Sequence, residues 1–432
     1  MVKRFFLAVA IIIACLLIYY QFDEDLSPDV IRTLNYVPDK IPVKENAFYY
    51  LLGLYTDRNS LPLDKGFEIL NAAEKHYSKD NTGTVFFVSD LPNSNVLAPN
   101  MLKHEICYSN EQPCLEDAKN NETLYLQVIE KNRVILDRLQ HLYQFDKYKE
   151  PKYPLALNDA VKLQKIALAQ VAIMWNKGDR SNALEFLTRN ANFWRMVSRS
   201  EISLINRMIS IANIRFNYNL LSEIVVACHG CVELSDHLPE ILTPITKQEL
   251  SMRKTMDYEY RYTYALFEKE YKKERDNNGE EIFEALLFKK NSFHNKMYSM
   301  YSRFILLSEC EVKLYPKCHE NFVKKTKERN GFVSLEFIDD PVSYILVEIA
   351  IPAYENYGSQ YFSFVGKSRL IRVQHHLYVN KVKKSDYQAY LSNLPDKLKS
   401  PFNGKPITWN TGKNELNIDF RDITGENIIV RM

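Results

Sequence analysis

Residues 161–195, VKLQKIALAQVAIMWNKGDRSNALEFLTRNANFWR, decide the fold class. Val161 to Asn176 keeps apolar side chains at helical spacing, and Lys177-Gly178-Asp179 turns the chain. Ala183, Leu187, Ala191 and Trp194 then recur every three or four residues and mark one face of a return helix. A hairpin with an apolar face on each arm must bury both against further helices, so a mainly α architecture is expected. Nothing comparable recurs about 34 residues away, which argues for ordinary helix-hairpin packing rather than a tetratricopeptide array.

The same periodicity extends outward. Leu124, Val128, Ile135, Leu139 and Leu142 predict a helix over 122–145, ended by Pro151 and Pro154. Ile202, Ile205, Ile209, Ala212 and Phe216 begin a longer one reaching Cys228, and Thr246-Lys247-Gln248-Glu249 has capping-box spacing ahead of a helix to Lys273. A solvated loop is expected over 275–280, a helix over 281–310 with a break near Asn291, and helix again over 343–380. On the N-terminal side, short helices are expected over 45–54 and 64–76, and a loop with a strand at Val85–Val88 over 83–100. Pro406–Trp409 and Leu416–Phe420 alternate with period two around Thr411-Gly412-Lys413-Asn414, the pattern of a β-hairpin.

The N-terminus sets topology. Lys3-Arg4 opens onto an apolar run to Tyr20, and Asp23, Glu24 and Asp25 follow. A run from Phe5 to Phe22 is at the short end of the roughly 17–25 residues that span a bilayer. Basic residues before it favour a cytoplasmic N-terminus and an exported body. No small-residue cleavage site follows Tyr20, so an uncleaved transmembrane helix is favoured over release. Ile12-Ile13-Ala14-Cys15 offers an alternative, a lipoprotein anchored at Cys15, but Leu16–Tyr20 stays apolar where lipoproteins turn polar. Residues 23–45, with Pro28, Pro38 and Pro42, suggest an extended tether.

The remaining cysteines fall into three close pairs: Cys107 with Cys114, Cys228 with Cys231, and Cys310 with Cys318. Paired cysteines in an exported chain suggest disulfides, and the bacterial periplasm as compartment. A loop of about seven residues contributes only about 2 kcal/mol through chain entropy, so these bonds would pin local turns. Lys and Arg total 56 against 54 Asp and Glu, a balance without the footprint of a nucleic-acid binder. Twelve glycines in 432 residues argue against a glycine-rich nucleotide fold.

Glu45-Asn46-Ala47-Phe48-Tyr49 with Leu52-Gly53, the Cys107/Cys114 loop, Asn192-Phe193-Trp194-Arg195, and Pro401–Pro406 with Trp409 are scattered over most of the chain. Together they resemble a family of uncharacterised membrane-anchored helical proteins of Gram-negative bacteria. The resemblance implies an anchored, exported helical body. It brings no activity and therefore no functional residue.

Chemistry is sparse in linear motifs. Cys228-His229-Gly230-Cys231 has redox spacing, but falls at the end of a predicted helix, where the macrodipole opposes a thiolate, and outside a βαβ context. Val232 rather than His follows it, which excludes covalent haem. Cys228, Cys231, Cys310, Cys318 and His319 would give a zinc site of loose spacing, disfavoured where thiols oxidise. His375 and His376 are adjacent on a helix and point about 100° apart. No Gly-x-Ser-x-Gly elbow or phosphate loop occurs. Phe283, Leu286, Leu287, Phe288 and Phe293 beside Lys289 and Lys290 read as core packing before membrane contact.

The reading is therefore a membrane anchor over 1–22, a tether over 23–45, a helical domain over 46–330, and a C-terminal helical segment with a small β-hairpin over 331–432. The expected role is binding or scaffolding of envelope components, with the inner membrane and an envelope protein as partners, no nucleic acid, no cofactor and no metal. The rival is an envelope enzyme, a carboxylate hydrolase or a thiol oxidoreductase using Cys228 and Cys231. Cys107 with Cys114 and Cys310 with Cys318 are expected to be oxidised in protein taken from cells. Alkylation without reduction, followed by mass spectrometry, checks this; full alkylation of both pairs rejects it.

Overall fold

The computed structural model describes residues 23–79, 86–87, 97, 99, 106–107, 113–152, 155–157, 159–278, 289–329, 341–421 and 427–432. In chain order the helices begin with α1 (Pro28–Leu34), α2 (Ala47–Leu52) and α3 (Pro62–Lys79), followed by strand β1 (Phe86–Phe87). Then come α4 (Cys114–Asn120), α5 (Glu122–Lys131), α6 (Arg133–Leu142), β2 (Leu155–Ala156), α7 (Asp159–Asn176), α8 (Arg180–Ser198) and α9 (Leu204–Cys228). Next are α10 (Val232–Ile241), α11 (Lys247–Leu250), α12 (Arg253–Asn278), α13 (Lys290–Ser308), α14 (Tyr315–Arg329) and α15 (Pro341–Val379). The chain closes with α16 (Tyr387–Ser392), β3 (Thr408–Asn410), β4 (Glu415–Arg421) and β5 (Asn427–Arg431). The mainly α expectation holds.

The chain divides into two units: residues 1–39, 256–310 and 317–358, and residues 40–255, 311–316 and 359–432. In the larger unit α7 is the centre. It packs against α4, α5, α8 and α9, and accordingly buries residues all round, from Leu163 and Ile166 to Val171 and Trp175. The Lys177–Asp179 turn is a Schellman cap. Asp179 N donates to Met174 O (2.9 Å), Gly178 N donates to Trp175 O (3.0 Å), and Gly178 sits at φ +85°, where a side chain would be strained. α2 and α3 cross so closely that a Cβ on Gly53 would lie 1.8 Å from Pro62 O, and one on Gly66 1.7 Å from Tyr49 O.

Several expectations are corrected. The single helix over 122–145 is two. Asn132, almost wholly buried, donates its side-chain amide to Val128 O (2.7 Å) and so competes with the helical ladder between α5 and α6. Thr246 and Glu249 do form a capping box, but on the four-residue α11, after which Ser251 is extended and α12 starts anew. The loop expected over 275–280 is helical as far as Asn278. Residues 23–45 are not extended throughout: Ser27 caps α1, its Oγ accepting from Val30 N at 3.4 Å, and Pro28 sits in the first turn, where its fixed φ suits a helix. The short strand near Val85–Val88 narrows to β1, which pairs in parallel with β2.

The C-terminal hairpin is present, with Trp409 opposite Leu416, and β5 adds a third antiparallel strand. β5 alternates exposed and buried residues, sending Ile428 and Val430 inward. Among the described residues no helix is long and apolar enough to cross a membrane. The anchor expected over 1–22, with Cys15, lies outside the described residues, as do Phe283, Leu286, Leu287 and Phe288. Phe293 is described and buried.

A buried ion pair fixes the 243–251 segment of the larger unit. Arg195 on α8 meets the Glu249 carboxylate twice, Nε to Oε1 at 2.6 Å and Nη2 to Oε2 at 3.0 Å, with both side chains under one tenth exposed. Arg195 also donates to Thr243 O (2.8 Å) and Pro244 O (3.3 Å). Burial opposes the charge on Glu249, but the Arg195 bonds and charge outweigh it and hold its pKa below the ordinary value. Arg195→Met would leave that carboxylate buried without its counter-ion and is expected to cost about 3–5 kcal/mol. Denaturant titration of the full chain checks the loss.

Candidate functional site: a buried acid beside the Cys107–Cys114 pair

All three cysteine pairs are at disulfide distance. The Cα atoms are 4.4 Å apart for Cys107–Cys114, 5.3 Å for Cys228–Cys231 and 6.7 Å for Cys310–Cys318, within the roughly 4.4–6.8 Å that a disulfide spans. Cys228 and Cys231 do not share a regular helix that would splay them. Cys228 closes α9, the chain turns through left-handed His229 (φ +50°) and Gly230 (φ +85°), and Cys231 caps α10. The motif thus lies between two helices rather than only at the end of one. Its turn is built by backbone, with Cys231 N 2.9 Å from Cys228 Sγ and the His229 ring packed edge-on against Tyr378. Cys310 lies just past α13, and Cys318 falls in the first turn of α14.

The Cys107–Cys114 pair is joined to a displaced carboxyl and a displaced tyrosine, and these come from elements far apart in sequence. α4 begins at Cys114 behind Pro113, which offers no side-chain cap. The missing acceptor is Glu223 of α9, whose Oε2 takes Leu115 N at 2.9 Å. On the other side, Cys107 is in the left-handed region at φ +50° and donates its N–H to Tyr125 Oη at 3.1 Å. That hydroxyl donates to Asp117 Oδ2 and lies 3.8 Å from Cys107 Sγ. Asn176 of α7 donates to Leu115 O at 3.0 Å and pins α4 to the core.

Burial pushes the Glu223 carboxyl up to about 7, against the pull of the Leu115 and Cys114 N–H groups and the charges of Lys367 and Arg431. Lys367 on α15, hydrogen-bonded to Asn219 Oδ1, is lowered to about 8 by burial and by Arg215, with Glu223 pulling the other way. Tyr125 is raised, first by burial and then by its bond to Asp117. An acid and a base, both moved toward neutrality by desolvation, mark a site where protons can be exchanged near physiological pH. No linear signal joins Glu223, Lys367 and Cys114; only the packing of α4, α9 and α15 does.

The smaller unit holds a second constellation. His294, fully buried, places Nε2 3.1 Å from Glu268 Oε1, and Lys290 Nζ is 2.8 Å from Glu268 Oε2. Tyr264 packs 4.3 Å from the imidazole, ring centroid to centroid, and Phe267 5.2 Å. Burial lowers the His294 pKa against the pull of Glu268 and so favours the neutral ring, which is wedged among aromatics. His375 and His376 diverge, the first toward Ser235 Oγ (3.3 Å) and the second toward Tyr390 Oη (3.1 Å). Among the described residues no three of His, Cys, Asp and Glu come together to hold a metal ion.

No protein-family model, curated protein or solved structure matches the chain. The site geometry therefore stands alone.

Glu223 gives stability a defined pH dependence. Between pH 4.5 and about 7 the folded chain keeps a proton that the unfolded chain has released, so stability from this group falls as pH rises through that window. Glu223→Gln removes the effect while keeping an oxygen acceptor for Leu115 N. The variant is expected to match the wild type near pH 4.5 and to gain on it progressively up to about pH 7. Urea midpoints of the two proteins across that range check this, and parallel curves reject it.

Proposed function

We propose that the chain is a membrane-tethered, exported helical protein of the bacterial envelope that binds or scaffolds other envelope components. The observation that supports it best is the docking of the segment directly after residues 1–22. Asp23 caps α13, its carboxylate accepting Asn291 N at 2.6 Å and Ser292 N at 3.1 Å. Glu24 O and Asp25 O accept the side-chain amides of Asn291 (2.8 Å) and Asn295 (2.9 Å), and Ser27 N donates to Asn295 Oδ1 at 2.8 Å. The three acidic residues that mark the exported side of the anchor thus also clamp the chain to its folded body. A smaller unit that holds residues 23–27 in this way suits a scaffold carried at the bilayer surface.

The cysteine pairs support export on independent grounds, since six cysteines after residue 22 all stand at disulfide distance from a partner. The resemblance to anchored proteins of Gram-negative bacteria points to the inner membrane, with the N-terminus cytoplasmic and the body periplasmic. At Cys228 and Cys231 the displaced groups nearby are His375, reached through Ser235, and Tyr378 against the His229 ring, and among the described residues no displaced carboxyl joins them.

A reporter fused after Met432 is expected to be active in the periplasm and silent in the cytoplasm, with the Cys15→Ser protein still sedimenting with membranes. Cytoplasmic activity alone overturns the topology, and release of Cys15→Ser replaces the helical anchor with a lipid one.

A further inference from the structure

We propose that Cys107–Cys114 is a redox-active disulfide that exchanges with a dithiol of an exported partner protein, with Glu223 carrying the proton. This activity goes beyond membrane tethering; the exported partner rests on the topology proposed above, while the exchange itself requires only that the pair forms a disulfide.

Four observations converge on it. The pair differs in access: Cys114 is buried at 7% exposure while Cys107 is partly exposed, so an incoming thiolate meets Cys107 Sγ and Cys114 is the leaving group. Cys107 itself sits in the left-handed region at φ +50°, uncommon for a residue with a side chain. Glu223 Oε2 accepts Leu115 N at 2.9 Å, which holds an acid at the start of α4, beside the residue that must accept a proton on leaving. Tyr125 Oη, 3.8 Å from Cys107 Sγ and bound to Asp117, lines the attacked sulfur with a polar wall. The other pairs are set differently: Cys231 N faces Cys228 Sγ, and Cys310 N donates to Leu307 O.

The exchange balances without any further reagent. One partner thiol loses its proton to solvent and attacks Cys107 Sγ; the Cys107–Cys114 bond breaks, and a mixed disulfide forms with Cys107. Cys114 leaves as a thiolate and takes the Glu223 proton, becoming a thiol beside a carboxylate. The second partner thiol gives its proton to that carboxylate and attacks the partner sulfur of the mixed disulfide. The partner leaves oxidised by two electrons, and Cys107 leaves as a thiolate that takes a proton from solvent. The chain is left as the dithiol, which a disulfide of another protein reoxidises by the reverse steps. The charged and titratable groups facing Glu223 are Lys367 from α15, Arg431 from β5, and Tyr125 with its partner Asp117 from α5 and α4; Arg215 shares α9 and acts through Lys367.

The test uses the full-length oxidised chain, with dithiothreitol as the probe, acid quenching, alkylation and mass spectrometry of each pair. Cys107–Cys114 is expected to be reduced at least about tenfold faster than Cys228–Cys231 and Cys310–Cys318, which serve as references in the same molecule. Its rate relative to Cys310–Cys318 should inflect near neutral pH in the wild type and lose that inflection in Glu223→Gln. A reduced dithiol peptide should be oxidised by the wild type and by Cys228→Ser/Cys231→Ser, but not by Cys107→Ser/Cys114→Ser. Reduction of Cys107–Cys114 no faster than the other pairs overturns the proposal, as does an inflection that survives Glu223→Gln. If Glu223→Gln does not fold, the wild-type comparison of the three pairs decides alone.

Discussion

The buried carboxylate of Glu249 is the constraint on which the larger unit depends. Two oxygens of one side chain close the capping box of α11, receive both arms of Arg195, and accept the Thr246 hydroxyl at 2.9 Å. A second arginine completes the arrangement through the backbone: Arg207 donates to Glu249 O (2.7 Å), Ser251 O (3.1 Å) and Ser198 O. Its guanidinium lies 4.4 Å above the Tyr361 ring. Charges taken from water are costly, and an ion pair offsets that cost only when every donor and acceptor around it is used. Here both arginines donate to carbonyls of the connecting segment, which holds it between α8 and α9, while Arg207 Nε finds no partner among the described residues.

α9 carries a second polar burden. Ser203, Asn206, Ser210, Asn213 and Asn217 fall on one stripe of the helix and are buried. Asn206 is well served, donating to Glu150 Oε1 (2.9 Å) and Leu155 O (2.6 Å) while accepting from Leu157 N (3.1 Å). Asn217 reaches Asn190 of α8 at 3.5 Å, whereas both polar atoms of Asn213 have no partner among the described residues. Each unpaired atom of this kind costs about 1–3 kcal/mol. Asn190 Nδ2 and Asn217 Oδ1 are likewise without a partner among the described residues, so this polar seam is only partly satisfied.

The same helix organises the sulfur site. Its C-terminal half delivers Glu223 to the start of α4, and Ser222 one residue earlier donates to Gln374 Oε1 (3.0 Å) on α15. Gln374 in turn donates to Arg431 O (2.6 Å), which ties the C-terminal sheet to the helices. Glu223, Lys367 and Arg431 are therefore neighbours because three elements share one scaffold. The displacement of Glu223 and Lys367 toward neutrality follows from burial, which penalises the charged form of each.

Sequence periodicity alone determined the helical class, the α7–α8 hairpin with its Gly178 cap, the long helices near 204–228 and 341–379, and the first two strands of the C-terminal sheet. These depend on local spacing of apolar residues and on turn chemistry, which a linear pattern records directly. The close cysteine pairs were legible for the same reason, because a short loop lets two thiols meet whatever the fold. The division at Asn132, the four-residue α11 and the helix at Pro28–Leu34 were not, since a buried side chain, a carboxylate clamp and a docking surface decide them. β5 was missed although Ile428-Ile429-Val430 carries an apolar run, because a strand that short is stabilised only by the neighbour it pairs with. The acid at Glu223, the lowered Lys367 and the Arg195–Glu249 pair belong wholly to the tertiary structure. A carboxylate or amine has no linear signature for burial, and its proton affinity is set by which helices close over it.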